Sequence, residues 1–281
     1  LTYGSIIMAS TNIALDYVLI FGKFCFPEMG IKGAALATVI AEAVEATYFI
    51  ILSSRAKIRK VYKLFYFKRP DLKLLKHTLS ISVYVMLQYF ISLCTWFAFF
   101  VMIEKTGELN LASSNIVRNI YAFITIPIWA YAAATSSFVS SAIGAGHISS
   151  VPAIIRKIVK IGVVTSAILI LPVSFLAKPI LSIYTNNADL INNSVASIYV
   201  ILAVNLIFAC GCISFNGLSG TGKTKVAMLL EIFALVFYVF ALYMLISSFP
   251  NNVEYAWLSE LVYWGMVLML TLLYFRFGKW R

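Results

Sequence analysis

The sequence predicts an all-α polytopic membrane protein of about eight transmembrane helices, and three observations carry that prediction. Of its 281 residues, 62% are hydrophobic and 12% charged, whereas a soluble domain carries roughly a quarter charged residues. Eight apolar stretches reach the length of about 20 residues that a helix needs to cross a hydrocarbon core. The Lys and Arg residues then concentrate on alternate connections, as topology set by positive charge requires. A chain with so little polar surface needs the bilayer as its solvent, and this excludes soluble enzymes.

The stretches are 3–21, 31–54, 79–103, 111–143, 158–184, 191–216, 225–248 and 254–277. The first opens directly after Leu1, with no basic leader and no small-residue cleavage site in these residues, and does not read as a signal peptide. With no Met at position 1, this start reads as a chain whose first helices lie upstream. The fourth stretch carries Pro127 and the fifth Pro172. Each proline removes a backbone donor and predicts a bend. Residues 55–77 open with RAKIRKVYKLFYFKRP, alternate bases with aromatics, and read as an amphipathic connector at the membrane interface. They divide the chain into residues 1–54, two helices, and residues 78–281, a six-helix bundle. The four cysteines, Cys25, Cys94, Cys210 and Cys212, sit in apolar surroundings without metal-ligand or disulfide spacing and read as inert thiols.

Charge then orients the chain. Seventeen of the 22 Lys and Arg residues fall on one side, in 55–77, at Arg156, Lys157 and Lys160, at Lys223 and Lys225, and in the tail at Arg276, Lys279 and Arg281. The other side holds Lys23, Lys32, Lys105 and Lys178, and Arg118 lies within a span. This puts the C-terminus in the cytoplasm. The net charge of +11 is thereby explained by loops that face anionic lipid, and nucleic acid is not an expected partner.

Gly217–Thr224, GLSGTGKT, matches the phosphate-loop pattern G-x-x-x-x-G-K-[ST]. That chemistry needs a strand before the loop, a helix after it and a strand-borne acid for magnesium. Here a membrane span lies on each side, so Gly217, Gly222, Lys223 and Thr224 read as a tight cytoplasmic turn and not as a nucleotide site.

Three stretches resemble the multidrug and toxic compound extrusion (MATE) transporters. They are TNIALDYVLIFG with MGIKGAALAT (Thr11–Gly22, Met29–Thr38), SSFVSSAIGAGH (Ser136–His147) and FNGLSGTGKT (Phe215–Thr224), the last with Ser219 where the family usually has arginine. The resemblance implies twelve helices in two six-helix bundles. The eight spans here would be helices five to twelve, the last two of an N-terminal bundle and the whole C-terminal bundle. It implies export of small organic, cationic or amphipathic compounds in exchange for H⁺ or Na⁺, with no other cofactor, by a monomer in a bacterial-type plasma membrane. A lipid-linked oligosaccharide flippase of related two-bundle fold is the alternative. Such a flippase would line its cavity with more basic residues than Arg118 alone.

An ionisable group inside a membrane is expensive and so a candidate for function. Asn12 and Asp16 are spaced i,i+4 on one helix face. The resemblance makes them, with Thr38, part of a cation or proton site. Glu42, Arg118, Asn115, Asn119, Gln88 and Tyr121 are candidate cavity-lining residues, Arg118 with a structural pairing role; Tyr84, Tyr89, Trp96 and Trp129 offer aromatic faces to a cation. Glu231 and Glu260 are read as interfacial. The acids that the family carries in its seventh and tenth helices align with Ser92 and Phe208 here, which implies no ion site in the C-terminal bundle.

Overall fold

The computed structural model describes residues 2–24, 26–55 and 71–280. The described residues form eight helices long and apolar enough to cross a membrane. They are α1 (Thr2–Ile20), α2 (Ile31–Ser54), α3 (Leu72–Glu104), α4 (Glu108–Gly144), α5 (Val151–Phe175), α7 (Ala188–Gly220), α8 (Thr224–Ser248) and α9 (Val253–Phe277). A short α6 (Ala177–Tyr184) follows α5, and a 3₁₀ turn, Ile148–Ser150, precedes it. The helical answer is forced, because a span in lipid must satisfy its backbone hydrogen bonds within itself.

The stretch 158–184, expected as one span, is two helices. α5 starts seven residues earlier, at Val151, and ends at Phe175; α6 begins at Ala177. The break follows Pro172, whose carbonyl accepts the Leu176 amide to close the turn. Arg156, Lys157 and Lys160, expected in a loop, are therefore exposed residues on the first turns of α5. α3 likewise begins inside the expected connector, at Leu72. The amphipathic stretch 56–70 lies outside the described residues.

The chain divides into two compact units, Leu1–Asp71 and Leu72–Arg281. In the first, α1 and α2 pack along a seam of small residues: Gly4, Gly33, Ala37 and Ala41 are buried together with Leu19. In lipid, close backbone approach takes over from hydrophobic burial as the source of helix association. Gly33 shows the need: a Cβ there would lie 2.6 Å from the carbonyl oxygen of Leu19.

In the second unit α7 is the central helix. Two-thirds of its apolar window, 67%, is buried, against 33% or less for every other span. It packs on α4, α9 and α5, while α3 leans mainly on α8. Two core clusters stack along the unit. One gathers Phe99, Ile103, Val117, Leu242 and Trp257; the other gathers Ile128, Ala132, Ile213, Ala227 and Val267. The GLSGTGKT segment ends α7 and turns into α8, with Gly222 at φ +80° supplying the left-handed residue of the turn. A Cβ at Gly220 would lie 2.6 Å from the carbonyl oxygen of Ser136 on α4. These glycines serve helix packing and a reversal of the chain, with a helix on both sides.

Candidate functional site

Where the two core clusters of the second unit meet, midway along the helices, the packing opens into a cavity of about 620 Å³. Its walls are largely aromatic. Trp264 meets Phe208 edge-to-face at 4.6 Å, and Phe208 in turn meets Trp129 at 5.7 Å and Tyr121 at 6.1 Å. Such edge-to-face pairs contribute about 0.5–1.5 kcal/mol each beyond area burial and hold the rings in fixed orientations.

Two carboxylates line this apolar chamber, Glu231 from α8 and Glu260 from α9. Both are buried, at 5% and 4% exposure. Each lies seven residues into its helix, about 10 Å along the axis at 1.5 Å per residue. That depth takes them past the first turns, where interfacial water would reach them, and corrects the interfacial reading of both. Their partners are hydroxyls. Tyr263 donates to Glu231 Oε1 at 3.1 Å, and Ser92 of α3 also donates to that oxygen. Tyr238 donates to Glu260 Oε1 at 3.0 Å. Each of the last two long helices thus offers one carboxylate and one tyrosine to the other, and the two tyrosine rings lie 5.6 Å apart. The second oxygen of Glu231, Oε2, is buried without a hydrogen-bond partner, and so is Gln88 Oε1 one turn before Ser92.

The expectation that the C-terminal bundle lacks an ion site takes no account of these two carboxylates. It rests on Ser92 and Phe208 being non-acidic. Ser92 does occupy the cavity wall, but it spends its hydroxyl on Glu231 from another helix, and Phe208 forms part of the aromatic wall. The carboxylates enter from α8 and α9. A signal is present in the sequence: Glu231 and Tyr238 are spaced i,i+7, and Glu260 and Tyr263 i,i+3, so each acid shares a helix face with a tyrosine.

Of the expected cavity residues, Gln88, Arg118, Asn119 and Tyr121 line the chamber, as do Tyr89, Trp96 and Trp129. Arg118 sits with its guanidinium 5.0 Å over the Phe100 ring. It also borders a smaller side cavity between α3 and α4, which Asn115 lines with Trp96 and Leu111. Asn115 donates to the Leu111 carbonyl of its own helix at 3.1 Å. Glu42 is exposed on α2 in the first unit, and Tyr84 does not line either cavity. Among the described residues, no group of three or more His, Cys, Asp and Glu gathers as a metal cluster would.

In the first unit, Asn12 donates from Nδ2 to Thr38 Oγ1 at 3.4 Å, joining α1 to α2. Thr38 passes its own proton to the Ala34 carbonyl at 3.1 Å. Asp16 lies one turn further along α1, with its Oδ1 buried and unpartnered. The two helices carry an amide, a hydroxyl and a carboxylate with one unpartnered oxygen.

Comparison with known proteins gives a consistent outcome. A family model described as MatE matches residues 81–244, more than half of the chain. A probable multidrug resistance protein NorM from Thermotoga maritima is 24% identical over 274 residues, which is 96% of this chain and 58% of that protein. A probable multidrug resistance protein NorM from Photorhabdus laumondii is 30% identical over 202 residues, 70% of this chain and 41% of that protein. The solved outward-facing conformation of a multidrug resistance MATE family transporter of the MOP superfamily superposes with a TM-score of 0.83 at 18% identity, over 99% of this chain and 61% of that one. The chain thus spans about three-fifths or less of these proteins' length.

Proposed function

The chain belongs to the MatE family, and on that premise we propose that it forms the larger part of a secondary active exporter. This exporter moves small organic compounds, cationic or amphipathic, out across a bacterial-type plasma membrane in exchange for a cation. The observation that carries the reading is the chamber of the second unit, with two buried carboxylates whose partners are neutral hydroxyls, inside aromatic walls. An ionised carboxylate left unpaired in such a place costs several kcal/mol. An entering organic cation supplies the missing charge, and each ring face adds about 1–2 kcal/mol of cation–π attraction once water is excluded. Names of relatives support the substrate class: both are described as multidrug resistance proteins.

Coupling is assigned to Asp16, with Asn12 and Thr38 as neutral oxygen partners and H⁺ or Na⁺ as the ion. Uptake of the ion neutralises this carboxylate and biases which side the site faces, as alternating access requires. The chamber also weighs against a pyrophosphate-lipid cargo. It presents Glu231 and Glu260 against the single base Arg118, so an anionic headgroup would meet like charge. Basic residues on alternate connections support a cytoplasmic C-terminus.

Ethidium efflux from energised cells expressing the protein from its complete gene tests the reading. Efflux that collapses with an uncoupler or on sodium removal is the expected result. No efflux of ethidium or of any other organic cation, at normal expression in the membrane, would refute it.

A further inference from the structure

The end of the second unit where α4 finishes and α5 begins collects charge of one sign. The chain leaves α9 at Phe277 and turns back, so that Trp280 seats with Val139 of α4 and with Val151 and Ile155 of α5. Trp280 is 6% exposed, meets Phe275 edge-to-face at 5.3 Å, and donates its indole N–H to the Phe275 carbonyl at 2.8 Å. That carbonyl is among the last four of α9, which a helix leaves without an internal partner. The tail is thereby fixed against the first turns of α5, and it brings the exposed Lys279 with it.

Those turns already present Arg156, Lys157 and Lys160, all exposed. No acid of these segments offsets them, because residues 109–188 and 261–281 contain neither Asp nor Glu. The positive end of the α5 dipole adds to the charge instead of opposing it. Like charges gathered on one surface repel, so a docked tail that adds a fourth base calls for an anion among them.

The surface above the bases indicates what kind of anion. Lys157, Ile161, Val164 and Ile168 recur at i, i+4, i+7 and i+11 and share one face of α5. The three apolar members are 45%, 59% and 62% exposed. From Lys157 to Ile168 the helix rises about 16 Å, close to half of the roughly 30 Å hydrocarbon core. One face thus offers a base at the level of a lipid phosphate and an apolar track as long as one leaflet. A free phosphate would leave the track unused, and a zwitterionic lipid would bring a cation of its own to a surface already in excess.

We propose that Arg156, Lys157 and Lys160 on α5, with Lys279 on the Trp280-anchored tail, bind the phosphate of an anionic phospholipid whose acyl chain lies along Ile161, Val164 and Ile168. The lipid is the counter-ion that lets the tail dock, and it ties the end of α9 to the start of α5. The site stands apart from the chamber and from the Asp16 cluster. It rests on the proposed topology only in that the leaflet concerned is the cytoplasmic one, and it does not depend on the cargo.

Native mass spectrometry tests the proposal, on protein purified from its complete gene and released from micelles doped with dioleoyl phosphatidylglycerol or dioleoyl phosphatidylcholine. Saturable retention of phosphatidylglycerol is expected, with phosphatidylcholine held about tenfold more weakly or worse. Each base removed should weaken retention about fivefold, the worth of one Lys or Arg at an anionic surface. The triple change Arg156→Gln, Lys157→Gln and Lys160→Gln should therefore nearly abolish it. Lys157→Gln and Lys279→Gln, made singly, leave most of the orienting charge in place and serve if the triple variant does not insert. Trp280→Ala frees the tail and should cost as much as Lys279→Gln. Lys76→Gln with Lys223→Gln and Lys225→Gln removes three charges from the ends of α3 and α8 and should change nothing. Equal retention of the two lipids overturns the proposal, as does an equal loss in the α3 and α8 variant. Retention unaffected by Lys157→Gln and Lys279→Gln overturns it too. Displacement of the lipid by inorganic phosphate at constant ionic strength would mark a site for free anions and overturn it as well.

Discussion

Two acids, half-buried Asp16 in the first unit and buried Glu231 in the second, sit in very different surroundings. Asp16 stands on a two-helix seam where the described burial is a line of glycine, alanine and one leucine, and its Oδ1 has no partner. Glu231 stands in a six-helix unit where Ser92 and Tyr263 come to it from two other helices. Two helices can place an acid beside an amide and a hydroxyl, as Asp16 lies beside Asn12 and Thr38. Converging donors from three directions takes a bundle. The acid with the bundle around it is held in place, and the acid on the seam is merely available.

That contrast can be broken most directly by Glu231→Gln. Removing the charge that two hydroxyls address should slow efflux by about 10- to 100-fold, the equivalent of about 1.5–3 kcal/mol for a charged hydrogen-bond partner. The measurement is initial ethidium efflux rate at matched expression. Asp16→Asn should act through coupling instead: efflux falls about tenfold, while equilibrium binding of ethidium to the purified protein stays near wild type. Equal loss of binding in both variants would erase the distinction between a cavity acid and a coupling acid.

The two seams can be compared in the same way. Gly33→Ala and Gly220→Ala each drive a methyl to within 2.6 Å of a backbone oxygen, that of Leu19 and that of Ser136 respectively. Overpacking of this kind costs about 1–3 kcal/mol, seen as a lower apparent melting temperature in detergent. Gly220→Ala should show the larger drop, because α7 is buried along most of its length and cannot shift alone. Tyr238→Phe removes one hydroxyl from Glu260 at a cost of about 1 kcal/mol, so a severalfold loss of efflux is expected, smaller than for Glu231→Gln. The smallest effect belongs to Lys223→Ala. Lys223 caps a helix hairpin and does not cradle a phosphate, so efflux should stay within about twofold, as for other surface changes.

Much of the fold can be read in the chain. Each apolar run of sufficient length is a helix, and GLSGTGKT is a turn between two of them, because the segments around it have no strand character. Boundaries fail where a local cause overrides hydropathy. The run 158–184 is continuous in apolarity, yet it breaks after Pro172. The basic start of α5 reads as a loop because its charges hide a helical turn.

The site is legible only in part. Gln88, Arg118, Asn119 and Tyr121 stand out as polar or aromatic interruptions of apolar spans, and they do line the chamber. Glu231 and Glu260 escape such a reading because it judges depth from each span's own ends. Their burial depends on neighbours more than a hundred residues away in one case, Ser92 for Glu231, and 22 residues away in the other, Tyr238 for Glu260. The sequence by itself determined that this chain crosses a membrane in helices, since in lipid each helix must satisfy its backbone alone. Only the tertiary structure decided which of its charges face one another. That depends on the register between helices, fixed here by contacts such as Thr224 to Ile81, and no property of a single helix contains it.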